Sequence, residues 1–74
     1  MDTDTQRQVD TLLATHPRTG EVARELLRRF PTRDAAAQAA ELMREKAYHD
    51  GRGGVLIACR FAAELIRLGW TPPF

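Results

Sequence analysis

Val55-Leu56-Ile57-Ala58-Cys59-Arg60-Phe61-Ala62-Ala63-Glu64-Leu65-Ile66-Arg67-Leu68 is apolar on almost every side when wound as a helix. Its only polar residues are Arg60, Glu64 and Arg67, which at about 100° per residue share one arc of roughly 60°. A surface helix needs one apolar stripe, so this one calls for cover on two sides. A chain of 74 residues supplies few large side chains to provide it. The stretch therefore argues for an all-α fold, a compact bundle completed by oligomerisation, most simply as a homodimer.

Length and composition point the same way. A chain this short is one domain and buries only about 60% of the surface its unfolded state exposes. Chains of this size lean on idealised packing, a metal, disulfides or an oligomeric partner. A single cysteine excludes an intramolecular disulfide, and two histidines far apart give no metal-ligand spacing. No cofactor is expected, and association is the device that remains.

Eleven basic and ten acidic residues leave a net charge of +1, which supplies no clustered basic face for nucleic acid. The opening Met1-Asp2-Thr3-Asp4-Thr5 is acidic and polar, unlike a secretory or transit peptide. Residues 53–66 are too few to span a membrane and carry Arg60 and Glu64. Cys59 amid apolar neighbours suits a reducing compartment, so a soluble cytoplasmic protein is expected.

Period-3.6 patterns place helices at about 4–15, 20–30, 33–49 and 55–68, with a tail at 70–74. The first has a short apolar side (Val9, Leu12, Leu13), offers Thr3, Asp4 or Thr5 as N-cap, and ends at His16-Pro17. The second puts Val22, Ala23, Leu26, Leu27 and Phe30 on one face. Glu21, Arg24, Glu25, Arg28 and Arg29 take the other at spacings that favour pairing, with Thr19 as cap. Pro31-Thr32 turns the corner, Thr32 caps the third helix, and Asp34 sits in its first turn. The inward stripe of that helix is Ala36, Ala39, Ala40, Met43 and Ala47, while Leu42 lies off it and offers a second contact face. Gly51 and Gly69 suit left-handed C′ positions, after which Trp70 and Phe74 are expected to fold back.

The fourth helix carries Ile57, Phe61, Leu65 and Leu68 on one face and Val55, Cys59 and Ile66 on the other, flanked by Leu56 and Ala63. Ala58 and Ala62 lie between. One face is expected to meet the other three helices and the other a second chain. Ile57, Phe61, Leu65, Ile66, Leu68 and Trp70 are the candidate interface residues, since large apolar side chains anchor such surfaces.

Three chemical readings compete with plain structure. Arg52-Gly53-Gly54 before a helix forms a candidate anion site, although glycines also serve ordinary helix connections and no Gly-Lys-Ser/Thr follows. Tyr48-His49-Asp50 suggests acid–base work, but adjacent helical residues diverge and no nucleophile stands near; Cys59 is too apolar in setting to react. An enzyme is not expected. Arg24, Arg28, Arg29 and Arg33 around the Pro31 corner have a helix–turn–helix look and are the candidate nucleic-acid contacts. The third helix offers only Arg33, Asp34 and Gln38 among alanines, with Glu41 and Glu45 outward, so that reading stands second. Arg60, Glu64 and Arg67 read as a mutually paired, solvent-facing stripe or, alternatively, as an ionic strip that sets register across the partner interface.

The ending Leu68-Gly69-Trp70-Thr71-Pro72-Pro73, with the arginine- and alanine-rich composition, resembles short uncharacterised helical proteins of high-GC bacteria and their phages. That resemblance implies a small accessory protein and carries over no functional residue. The function expected from the residues is a non-enzymatic protein–protein interaction module, an adaptor, inhibitor or regulator working through the C-terminal helix. The alternative is a small dimeric DNA-binding regulator.

Overall fold

The computed structural model describes residues 2–73. Four helices follow one another: α1 (Thr3–Thr15), α2 (Thr19–Arg29), α3 (Arg33–His49) and α4 (Gly53–Arg67). No strand occurs among the described residues.

Helix α1 starts one residue ahead of the expected caps. Asp2 is the N-cap, its Oδ1 accepting the Thr5 N–H at 2.7 Å. The helix stops at His16, held extended before Pro17. At the start of α2 the expected cap fails. Arg18 holds the capping position without a side-chain bond, and Thr19 is the first helical residue, fully buried. Gly20 beside it sits close to α1: a Cβ there would lie 3.1 Å from Leu13 Cδ2, which would have to shift by a few tenths of an ångström. Phe30, expected inward, is the extended residue after α2 and stays 37% exposed. Thr32 caps α3 as its sequence implies, its hydroxyl accepting the Ala35 N–H at 3.1 Å.

Helices α3 and α4 form an antiparallel hairpin. Gly51, at φ 71°, closes α3 in a Schellman motif, with the Arg52 N–H donating to Ala47 O at 2.8 Å and the Gly51 N–H to Tyr48 O at 3.2 Å. Gly53 and Gly54 belong to the first turn of α4 rather than to a loop. Gly69, at φ 93°, repeats the motif at the far end, where the Trp70 N–H reaches Leu65 O at 3.2 Å and the indole packs half-buried on the core. Phe74 lies outside the described residues.

The α3–α4 contact is the most extensive, followed by α2–α4, while α1 touches α2 and α4 lightly. Helix α4 is thus central, with Ala58, Cys59, Ala62, Ala63, Leu65 and Ile66 buried and Ile57 37% exposed. Among the described residues, eight of the thirteen buried apolar ones are alanines, including Ala36, Ala37, Ala40 and Ala47 of α3. Small side chains on both helices let the backbones approach closely, so large ones are not required to close the core. Met43 departs from the stripe assigned to it and is 42% exposed.

Candidate interaction surface

The alanines of α3 that face inward are spaced 36, 40 and 47, which turns the opposite side of the same helix to solvent. Away from that stripe the helix carries Leu42, 67% exposed, and Tyr48, 71% exposed, about 120° apart around its axis. They border an open groove of about 770 Å³ whose other wall is Leu56 and Arg60 of α4, with Gln38, Glu41, Arg44 and Glu45 along it. A smaller recess of about 210 Å³ continues it between the two helices, lined by Glu41, Arg44, Arg60, Ala63, Glu64 and Arg67.

Charges alternate along this face. Arg67 does not pair within its own helix as its spacing suggests; its guanidinium donates to Glu41 Oε1 across the hairpin at 2.8 Å. That bond holds the Glu41 carboxyl below its usual range, with Arg44 adding to the effect, and raises Arg67. Exposed pairs of this kind contribute little to stability, so their effect here is to set the pattern of the face.

The expected α4 interface is redistributed. Leu65 and Ile66 are fully buried in the core of the chain itself. Phe61, Leu68 and Trp70 are half-buried, the last two packed on the core, and Ile57 remains 37% exposed. Cys59 is fully buried, and burial pushes its thiol up, keeping it neutral.

The candidate nucleic-acid arginines do not form one patch. Arg33 turns back on its own fold, its guanidinium donating to Ile66 O at 2.9 Å, Gly69 O at 3.3 Å and Trp70 O at 2.7 Å. Gly69 and Trp70 lie just beyond α4, and Ile66 O also accepts the Gly69 N–H at 3.2 Å, so Arg33 is a clamp that ties the start of α3 to the end of α4. Arg28 and Arg29 share the Glu25 carboxylate at 2.7 and 2.8 Å, which holds Glu25 low. Arg24 is exposed on α2.

At the candidate anion site, Arg52 is the N-cap of α4 with no side-chain cap bond, and Gly53 and Gly54 are exposed. Nothing polar converges on them. Tyr48 and His49 stack edge to face at 5.6 Å, yet of Tyr48, His49 and Arg52 only Tyr48 lines the groove. Among the described residues no group of three His, Cys, Asp or Glu is placed to hold a metal, and no helix is long and apolar enough to cross a membrane.

No family model, curated protein or solved structure matches the chain.

The sequence already held the signal for Leu42, since it falls off the alanine stripe. Tyr48, six residues and about 120° further round the helix, joins Leu42 only because both border the α3–α4 groove.

Proposed function

We propose that the chain is a small non-enzymatic protein–protein interaction module, an adaptor, inhibitor or regulator, working through the α3–α4 groove rather than through the buried side of α4. The observation that carries this is the pair Leu42 and Tyr48, 67% and 71% exposed on a helix whose buried residues are all alanines. Tyrosine is enriched at the centres of protein interfaces, where an amphipathic ring loses little freedom on docking. Their flanking charges suit a polar rim. A cytoplasmic setting fits the lone buried thiol, and an accessory role fits the small size.

The nucleic-acid alternative has lost its main support, because Arg33 is spent on carbonyls and Arg28 and Arg29 on Glu25. The test is a photo-crosslinking amino acid placed at Leu42 and, separately, at Gln6, exposed on α1. Discrete protein adducts from position 42 and none from position 6 are the expected result. Silence at position 42, or equal labelling at both, overturns the reading.

A further inference from the structure

We infer that the occupant of the α3–α4 face is a second copy of this chain, docked about a two-fold axis with Leu42 and Tyr48 at its centre; this rests on the reading of that face as a docking surface. A two-fold axis lays a patch against itself, so a patch of one sign repels its copy while one of balanced, alternating sign meets opposite charges. This face is balanced: Glu41, Glu45 and Glu64 stand among Arg44, Arg60 and Arg67. A strongly acidic or basic partner would oppose half of them at any orientation.

Area sets the strength. Helix α3 has 17 residues and is about 25 Å long, and two adjacent helices are about 20 Å wide. The face therefore offers on the order of 500 Å² per copy, near the lower limit of roughly 1,000 Å² in all for a specific interface. The core closes without a partner. The pair is thus a reversible dimer held in the micromolar range, the weak end of what such contacts give.

Mass by sedimentation equilibrium, from about 1 μM to about 1 mM chain, tests this. The wild type is expected to rise from 8.3 kDa toward twice that value. Leu42→Glu is expected to weaken pairing by about tenfold or more, with Tyr48→Ala as a second variant should the first lose its helical circular dichroism. A face made net acidic (Arg44→Glu with Arg60→Glu) and one made net basic (Glu45→Arg with Glu64→Arg) should each be monomeric and should form a one-to-one pair when mixed. A monomer at every concentration overturns the second copy and leaves the docking reading to its crosslinking test. A dimer indifferent to Leu42→Glu, Tyr48→Ala and both charge variants overturns the placement on this face.

Discussion

Thr19 is the residue whose setting departs furthest from its chemistry. It begins α2 with no exposure, and its Oγ1 has no hydrogen-bond partner. An unpartnered hydroxyl in the interior costs about 1–3 kcal/mol. Valine has the same shape without the polar atom, so Thr19→Val is expected to stabilise the fold by about 1 kcal/mol, raising Tm by roughly 4–8 °C. Thermal unfolding reads this directly, and a lowered Tm would mean the hydroxyl is satisfied. Arg33 is the converse case, a charged group with three acceptors at the end of α4. Arg33→Ala is expected to cost about 2 kcal/mol in urea unfolding, and Arg33→Lys to recover only part, because an ammonium lacks the planar fork. Arg28→Ala, which removes only an exposed intrahelical pair, should leave the urea midpoint unmoved. Equal effects at positions 28 and 33 would contradict the clamp.

At the scale of elements, the α3–α4 contact is decided by distance rather than bulk. Ala40 is fully buried in it, whereas Met43, one turn further along, stands 42% exposed beside Val22 and Leu26 of α2. Ala40→Leu is expected to destabilise by about 1–3 kcal/mol through overpacking, and Met43→Ala to change stability by less than about 0.5 kcal/mol. A ranking by side-chain volume from the sequence predicts the reverse order for these positions, so denaturant midpoints of the two variants separate the views. The helices themselves were legible because their ends are written locally: Pro17, Pro31, Gly51 and Gly69 each force a backbone change at a known residue. Thr32 was legible as a cap for the same reason, and Thr19 was not, because burial outweighed its capping preference. What crosses between helices was not legible. The partners of Arg33 and Arg67 lie 26 or more positions away, and no spacing rule on one helix reaches that far. Small side chains on two facing helices permit close approach, so the alanines of α3 and α4 make a core that side-chain volume read along the sequence does not foretell.

For the whole molecule, electrostatics predicts how the fold meets acid. Asp2, Glu25 and Glu41 are all held below their ordinary values of 3.8, 4.5 and 4.5, the first by the Thr5 N–H, the second by Arg28 and Arg29, the third by Arg67. In each the folded chain gives up its proton more readily than the unfolded chain. The unfolded state therefore binds more protons in the window between the two values, and stability rises with pH across it. The contribution is fully present above about pH 5.5 and is lost as pH falls through the folded values. The urea midpoint is expected to hold just above that pH and to decline gradually toward pH 3, the decline being shallow because all three carboxylates face solvent and salt screens them. Glu41 joins α3 to α4, while Glu25 pairs within α2 alone. Glu41→Gln should consequently flatten the acid limb of global unfolding, whereas Glu25→Gln should lower mainly the helicity of α2, read by amide exchange. A midpoint that stays level or climbs on acidification would show that these pairs are equally formed in the unfolded chain.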